Sequence, residues 1–222
     1  MRLRLKPDSS LRLSDAVYES LLEAILAGNL ATGTVVSELS LAKKLQVSRT
    51  PVHDAIKQLE KDGLIHQKAN HRAVVASFTA DDVFDVFEMR MLLEGEAARR
   101  AATRMDRQAL TELRAVIAQL SAELDDPGWI ARWADFDEQF HAAIAQASGS
   151  PRLARDILRY RMLHRGMNKL STTVEVLQQA MAEHARILDA LDARNAKAAQ
   201  AAMVDHLREW QAYFVRQFKS RA

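Results

Sequence analysis

The sequence contains no cysteine among its 222 residues, which excludes disulfide bonds and metal sites built on thiolates. A metal would therefore need imidazole or carboxylate ligands. No apolar run approaches the about 18 residues expected of a membrane-spanning helix. The N-terminal segment MRLRLKPDSS also lacks the apolar core of a signal peptide. We therefore expect a cytoplasmic protein with no membrane partner.

Proline and glycine are scarce, with 4 and 7 residues. The chain has 48% hydrophobic and 27% charged residues, which is typical of a globular protein rather than a disordered one. Its charge is divided unevenly, since residues 1–79 carry 11 Lys and Arg against 8 Asp and Glu, whereas residues 80–222 carry 20 against 21. The small basic excess therefore belongs to the first third of the chain.

The segment from Ser37 to Gly63 predicts two short amphipathic helices separated by a tight turn. Ser37 is a suitable N-cap for the first helix, which ends near Leu45. The second begins near Thr50, whose hydroxyl can cap free amides, and Gly63 ends it as a left-handed cap. One face of each helix is apolar, namely Leu41, Ala42 and Leu45, and then Val52, Ala55, Ile56 and Leu59. Such a pair of helices is typical of a helix-turn-helix that places its second helix in the DNA major groove.

The polar side chains near the start of this second helix are the candidate DNA contacts: Arg49, Thr50, His53 and Lys57. Gln58 is a weaker candidate. Two short strands should follow, Leu64–Lys68 and Ala73–Ser77, joined by residues 69–72 in a basic wing. His71 and Arg72 at its tip are further candidate DNA contacts. The alternative is a small helical subdomain with a solvated basic face.

The sequence on both sides of this region has a helical pattern. One helix is expected before it, over about Leu13–Ala27. Six are expected after it: about Ala80–Arg104, Asp106–Leu124, Trp129–Ala147, Arg152–Leu170, Thr173–Ala193 and Ala196–Lys219. Their short connections favour an antiparallel bundle. We therefore predict a mainly α protein with a flexible arm over residues 1–10, a winged helix-turn-helix over 11–78 and an all-helical effector-binding and dimerisation domain over 79–222.

Four side chains inside this bundle form a candidate metal site. Asp137 and His141 lie one helical turn apart and share a face. His184 and His206 stand 11 residues before and after Asn195, so folding their two helices about that turn makes them level. One carboxylate and three imidazoles suit a divalent cation, with Zn²⁺ preferred and Ni²⁺ or Mn²⁺ as alternatives. Each residue alone is equally consistent with an ordinary surface or core position.

The stretch LAKKLQVSRTPVHDAIKQLEKDGLI, followed by NHRAVVASFT, resembles the winged helix-turn-helix of the GntR family of bacterial transcription regulators. The remaining chain resembles the family's FCD effector domain, in its six-helix VanR-like branch. This resemblance implies a DNA-binding regulator, more often a repressor, and matches the four candidate metal ligands position by position. The sequence departs from the family pattern where His53 and Leu39 replace Arg, Arg72 replaces Gly and Ser150 replaces Asn. Histidine lacks the forked donor pair of arginine, so we expect an altered operator preference.

The resemblance also implies an effector, a small organic acid, and a homodimer bound to a palindromic operator. Arg90, in the segment EMRMLLEGEAA, resembles the family's cavity arginine. Arg161 or Arg165 could bind the acid instead, although a solvent-facing salt bridge is an equal alternative for both. The apolar residues Val83, Val86 and Phe87 could form the dimer interface or belong to the bundle core. His164 is expected to be structural or peripheral.

Two other classes of function are compatible with parts of this pattern. A metal held by three His and one Asp could serve a hydrolase, but the sequence contains no HExxH motif, no nucleophile elbow and no glycine-rich phosphate loop. A helical ligand sensor that does not bind DNA would leave the helix-turn-helix unexplained. We therefore expect a regulator and not an enzyme.

Overall fold

A computed structural model describes residues 12–68, 72–168 and 173–220, and the side chain of Lys68 lies outside this description. Its elements are α1 (Leu13–Leu26), β1 (Val35–Val36), α2 (Glu38–Leu45), α3 (Arg49–Lys61), β2 (Ile65–Lys68), β3 (Arg72–Val75), α4 (Ala80–Ala101), α5 (Arg107–Ala122), α6 (Trp129–Ala147), α7 (Pro151–Asn168), α8 (Val174–Asp192) and α9 (Ala196–Lys219). The described residues form two compact units. One extends to Thr79 and includes the end of α7 from Arg165, and the other contains the remaining residues.

The first unit contains the predicted pair of short helices. The side chain of Ser37 accepts a hydrogen bond from the amide of Ser40 at 3.4 Å, so it caps α2 as expected. The helix α3 begins one residue before its predicted start, because Ser48 is extended and the chain turns helical at Arg49. The prediction that Thr50 caps α3 was therefore wrong, since Thr50 lies inside its first turn. The predicted apolar faces of both helices are buried.

The wing belongs to a three-stranded antiparallel sheet of order β1-β3-β2. The predicted hairpin is confirmed, with Gln67 opposite Ala73. Its second strand was predicted over Ala73–Ser77 but begins at Arg72, which pairs with Lys68 instead of lying in the connection, and ends at Val75. The strand β1, in which Val35 pairs with Val74, was not predicted, because two residues cannot establish an alternating pattern. Residues 69–71, including His71, lie outside the described residues, as do residues 1–11 with the predicted arm.

The second unit confirms the predicted helical fold, since the described residues contain α4 to α9 close to their expected bounds. The longest differences are at α4, which ends at Ala101 instead of Arg104. There the amides of Thr103 and Arg104 donate to the carbonyls of Arg100 and Ala101, only three residues earlier, so the regular α-helical hydrogen bonding ends. The Arg104 guanidinium donates to the Ser148 carbonyl. None of the helices in the described ranges combines the length and apolarity required to cross a membrane.

The core of the second unit includes the three residues for which the sequence allowed two alternatives, the bundle core or a dimer interface. Val83 and Phe87 are 0% exposed and Val86 is 8% exposed. They pack inside the unit because α4 turns this face towards the other helices, above all α9. The interface alternative for these three residues was therefore wrong.

Candidate DNA-binding surface and candidate metal centre

The exposed face of α3 carries the basic side chains predicted to contact DNA. Arg49, His53 and Lys57 follow each other at intervals of four residues, so they lie on one face of the helix. Their side chains are 68%, 51% and 48% exposed. Thr50 is also exposed, whereas Gln58 is half-buried and donates to Asp62 at 3.2 Å. The structure therefore presents Arg49, Thr50, His53 and Lys57 to solvent and turns Gln58 towards its own unit.

A groove of ≈ 550 Å³ separates this face from the wing and from the start of α2. Its lining includes Leu39 from α2 and Arg72 from β3, both exposed. The groove also contains an acid that the sequence did not single out. Glu38 accepts from Arg49 Nη2 at 3.2 Å and contacts His53 Nδ1 at 2.8 Å. These contacts connect two of the candidate DNA contacts to one carboxylate.

In the second unit, α6, α8 and α9 bring three histidines together. One ring nitrogen from each of His141, His184 and His206 lies within 4.8 Å of the others. Asp137 Oδ1 lies 3.6 Å from His141 Nε2 and 3.4 Å from His184 Nε2. All four residues are buried. The predicted ligand set is therefore assembled in space from three separate helices.

Two further carboxylates fix the orientation of two of these imidazoles. Glu94 on α4 contacts His141 Nδ1, and Glu183 Oε2 lies 2.7 Å from His206 Nδ1. Glu183 Oε2 also accepts from Trp210 Nε1 at 3.2 Å. Burial opposes ionisation of Glu94, but Arg90 and His141 outweigh it and hold its pKa well below the usual value, so Glu94 accepts from His141 Nδ1. Burial raises the pKa of Glu183, whose contact with Nδ1 orients the ring of His206. Sequence reasoning missed both acids, because spacing within a helix does not reveal a partner on another helix.

The electrostatics of the cluster favour the protonation states that coordinate a metal, namely an ionised Asp137 and neutral imidazoles. Burial opposes ionisation of Asp137, but Arg161 and His141 outweigh it and hold its pKa well below the usual value. Burial, reinforced by His206, holds the pKa of His184 well below the ordinary value. Burial and His141 do the same to the pKa of His206. At neutral pH the site therefore offers one carboxylate and at least two neutral imidazoles, the forms that bind a divalent cation.

Unpaired nitrogen atoms test whether a cation fits this site. His141 Nε2, His184 Nδ1 and His184 Nε2 are buried and have no hydrogen-bond partner among the described residues. His141 Nε2 lies 3.6 Å from Asp137 Oδ1, which is beyond hydrogen-bonding distance. Buried polar groups that lack a partner cost stability. A divalent cation would satisfy His141 Nε2 and one ring nitrogen of His184, so the residues present fit a metal.

Both candidate effector arginines are buried beside this cluster. Arg90 Nε donates to Glu94 Oε1 at 2.7 Å, and Arg161 Nη2 donates to Asp137 Oδ2 at 2.6 Å and to Glu138 Oε1 at 2.9 Å. Arg161 is 0% exposed, so the solvent-facing alternative was wrong for it. Arg90 Nη1 and Arg161 Nε and Nη1 are buried without a hydrogen-bond partner in the described ranges. These donors remain available to an anion.

Two other basic side chains complete the description of this region. Arg165 is half-buried and donates to Glu19 at 3.2 Å within the first unit. His164 is buried against Phe87 and Phe214, with ring centroids 5.6 Å and 5.5 Å away. Burial, followed by the charge of Arg90, keeps the pKa of His164 well below its ordinary value. His164 is therefore a neutral core residue, in agreement with a structural role.

The first unit is a winged helix-turn-helix with an exposed basic helix, and the second is a helical unit with buried, unpaired polar atoms. Together they define a ligand-binding transcription regulator. Comparison with models of protein families matches residues 13–75 to "Bacterial regulatory proteins, gntR family" and residues 85–209 to the FCD domain. The chain belongs to the GntR family and is a bacterial transcription regulator with a DNA-binding domain and an FCD ligand-binding domain. This membership sets aside the hydrolase and the sensor that does not bind DNA.

Several curated relatives resemble the chain over most of its length. The uncharacterized regulator YdhC of Bacillus subtilis is 25% identical over 196 residues, covering 85% of each chain. The Glc operon transcriptional activator of Escherichia coli is 27% identical, with 88% of this chain and 86% of the relative covered. The probable D-xylose utilization operon transcriptional repressor of Paenarthrobacter nicotinovorans is 25% identical, with 88% and 85% covered.

Solved structures show the same fold. E. coli McbR/YncC is similar with a TM-score of 0.72 at 19% identity, and the similarity covers 94% of this chain and 99% of that one. A GntR family member from Pseudomonas syringae is similar with a TM-score of 0.52 at 23% identity, covering 99% and 92%. At these identities the likeness concerns the fold alone.

Proposed function

We propose that this regulator binds a palindromic operator as a homodimer, and that a small organic acid held beside a divalent cation in the helical unit controls the binding. The single observation that carries the proposal is the set of buried imidazole nitrogens without a partner around Asp137. His141 Nε2 and both nitrogens of His184 lack a partner within the described ranges. A buried site of this composition loses stability unless a cation binds it.

The proposed ligands of the cation are Asp137, His141, His184 and His206, with Zn²⁺ preferred and Ni²⁺ or Mn²⁺ as alternatives. When bound, the metal supplies a positive charge that attracts a carboxylate oxygen. Glu94 and Glu183 support the set from outside by contacting Nδ1 of two of its imidazoles, which leaves Nε2 of each ring to face the proposed cation.

The proposed effector is a small carboxylate that meets the free donors of Arg90 and Arg161. Both guanidinium groups already pair with acids, so they are held in place before a ligand arrives. Their remaining buried N–H groups suit an acidic ligand, because charge-assisted hydrogen bonds to a carboxylate are among the strongest available. An apolar ligand would leave these donors without partners.

The proposed DNA contacts are Arg49, Thr50, His53 and Lys57 on α3, with Arg72 and His71 in the wing. The exposure of the four α3 residues supports this assignment. A helix of this kind enters the major groove, whereas a wing contacts the adjacent backbone or minor groove. Lys57 is held at 2.8 Å by Glu60 on the same helix, so DNA phosphates would compete with that exposed pair.

The homodimer is proposed because two-fold proteins pair with palindromic operators. The buried Val83, Val86 and Phe87 are unavailable for it. The same helix α4 leaves other apolar side chains exposed, namely Phe84 at 46%, Met89 at 38% and Leu92 at 68%. We expect Leu92→Glu to shift the oligomeric state towards the monomer in light scattering after gel filtration, whereas a monomeric wild type would contradict the proposal.

The proposed action is repression in the cytoplasm, relieved when the acid binds. Such control requires the acid to prefer one state of the protein over another. Because an activator and a repressor are both among the relatives described above, a promoter–reporter fusion with and without the regulator decides the sign. Lower expression in the presence of the regulator supports repression, and higher expression contradicts it.

Metal content after purification without chelator tests the metal proposal. We expect about one divalent ion per chain in the wild type and none in the double variant His184→Ala/His206→Ala. His66→Ala, which removes an exposed histidine of the wing, is the matched control and should keep the metal. Equal metal in all three proteins would show that the bound metal is not at this cluster.

DNA binding with candidate acids tests the rest. Fluorescence anisotropy with a labelled fragment from the chain's own promoter region should show specific binding that a carboxylate weakens or strengthens. Arg161→Met should lose the response to the acid while retaining DNA affinity. An acid response that is unchanged in this variant would remove Arg161 from the effector site.

A further inference from the structure

The acid Glu38 stands out on the surface that the proposed function turns towards DNA. It is the first residue of α2 and is 29% exposed. A carboxylate facing the phosphates of DNA weakens binding by repulsion. Its presence in the groove therefore points to a role other than binding the DNA backbone.

Its two contacts show what that role can be. Glu38 Oε1 lies 2.8 Å from His53 Nδ1, and Glu38 Oε2 accepts from Arg49 Nη2 at 3.2 Å. The hydrogen bond with His53 and the one with Arg49, opposed by partial burial, lower the pKa of Glu38. The carboxylate is therefore ionised at neutral pH and can only accept hydrogen bonds.

An acceptor at this position decides which nitrogen of His53 carries the proton. His53 Nδ1 must donate to Glu38, and in a neutral imidazole Nε2 is then an acceptor. The ring is half exposed on the outer face of α3, between Arg49 and Lys57. Its outward hydrogen-bonding character is thus the opposite of that of an arginine, which only donates.

The major groove distinguishes donors from acceptors. Cytosine and adenine each present an exocyclic amino group there, whereas guanine presents N7 and O6 as acceptors. Resting on the proposed placement of α3 in the major groove, we infer that Glu38 is a specificity-determining residue that fixes His53 as an acceptor for the amino group of a cytosine or adenine in each half-site.

The first experiment locates the base pair that His53 contacts. Randomised duplex DNA is selected with the full-length wild type and with His53→Ala at pH 8, where histidine side chains are generally uncharged. We expect one position per half-site to prefer cytosine or adenine in the wild type and to lose that preference in His53→Ala. His53→Arg should select guanine at the same position. A preference that His53→Ala retains would overturn the inference. Because a guanine pairs with a cytosine whose amino group also lies in the major groove, the contacted group is identified by the second experiment.

The second experiment removes single functional groups from the DNA. An operator with purine in place of adenine, or 2-pyrimidinone in place of cytosine, lacks the amino group, whereas 7-deazaguanine on the same base pair, or 7-deazaadenine where it contains adenine, lacks the N7 acceptor. Loss of the amino group should weaken wild-type binding about three- to tenfold, as for one neutral hydrogen bond, and should leave His53→Ala unaffected. Removal of N7 should have no effect on the wild type. The reverse pattern would show that His53 donates.

The role of Glu38 is tested with a matched pair of variants. Glu38→Gln leaves His53 free to present either nitrogen, so its binding should no longer respond to the missing amino group. Glu60→Gln removes an acid of equal exposure, 29%, that pairs with Lys57 and not with His53. It should respond as the wild type does. The same response in both variants would remove Glu38 from the inference, even if His53 still contacts the amino group.

The controls separate this inference from the function on which it rests. If neither the wild type nor any variant selects a sequence, the placement of α3 in the groove fails first. If Glu38→Gln shows a lowered thermal midpoint, the His53→Arg and His53→Ala proteins still decide which hydrogen-bonding character His53 presents. Selection of a sequence with no position sensitive to His53→Ala would overturn the inference and leave DNA binding intact.

Discussion

Two clusters in this protein combine carboxylates with histidine and arginine, and burial alone makes them different. In the first unit, Glu38 meets Arg49 and His53 at side-chain exposures of 29%, 68% and 51%. In the second, Asp137 meets Arg161 and His184 at 4%, 0% and 0%. Water satisfies the unused atoms of the exposed cluster, so its side chains can exchange partners for DNA. The unused atoms of the buried cluster are shielded from bulk solvent, which supports the proposed resident ligand.

Two Arg–Asp pairs inside the second unit, one buried and one exposed, allow the effect of burial on stability to be measured. Arg161 donates to Asp137 at 2.6 Å with 0% and 4% exposure, whereas Arg114 donates to Asp189 at 2.7 Å with 39% and 67% exposure. In protein freed of metal by a chelator, we expect Arg161→Met to lower the free energy of unfolding by about 3–5 kcal/mol, because Asp137 then keeps a buried charge without its arginine partner. Arg114→Met should cost at most about 1 kcal/mol. Urea denaturation followed by circular dichroism measures both, and equal losses would show that burial does not separate the pairs.

Removal of the metal is the next largest expected effect. A ligand present at one hundred times its Kd stabilises a folded protein by about 2.7 kcal/mol. Chelation should therefore lower the Tm of the wild type by about 5–11 °C for a chain of this size. His206→Ala should not respond to the chelator, whereas the wing variant His66→Ala should respond fully. A chelator effect of the same size in His206→Ala would place the responsible metal elsewhere.

The exposed cluster should show its effect in DNA binding rather than in stability. Arg49→Ala should weaken operator binding by about 1–3 kcal/mol. If Arg49 binds the DNA backbone, the salt dependence of the operator affinity should also decrease by the contribution of one phosphate contact. Arg99→Ala removes an exposed cation from α4, 47% exposed against 68% for Arg49, and is the control. Unchanged operator affinity in Arg49→Ala, measured by fluorescence anisotropy over a salt series, would remove this residue from the interface.

The same contrast explains how far the sequence predicted the molecule. Periodic apolar positions and caps located the helices of both units, and the two halves of the hairpin, because these depend on local spacing. The start of α3 was misplaced because Ser48, Thr50 and Pro51 all favour a helix start, and only the extended backbone at Ser48 selects among them. The short strand β1 was missed because its two residues depend on pairing with β3 and not on their own pattern.

The candidate sites divide in the same way. His184 and His206 could be paired from their symmetric spacing about one turn, and the structure places their ring centroids 4.8 Å apart. Glu94 and Glu183 could not be predicted, because each meets its histidine across two helices. Glu38 was missed for a similar reason, since it lies on α2 and its partner His53 lies on α3.

The smallest expected effect is at an exposed carboxylate whose pKa is nevertheless strongly lowered. Glu96 pairs with Arg99 and Arg100 at 2.7 Å, and these hydrogen bonds lower its pKa to about 2 from 4.5. A depressed pKa stabilises the folded state above pH 4.5, and that contribution is lost as the pH falls from 4.5 towards 2. Because the Glu96 side chain is 31% exposed, solvent screening limits its contribution to at most about 1 kcal/mol.

Glu96→Gln should therefore be slightly less stable than the wild type at pH 7, and the difference should vanish near pH 2 to 3. Urea denaturation of both proteins over this pH range measures it, and carboxyl chemical shifts by NMR give the titration of Glu96 directly. A loss near 3 kcal/mol at pH 7 would mean that an exposed pair can be worth as much as the buried Arg161–Asp137 pair. The difference between the two clusters would then depend on geometry and not on access to water.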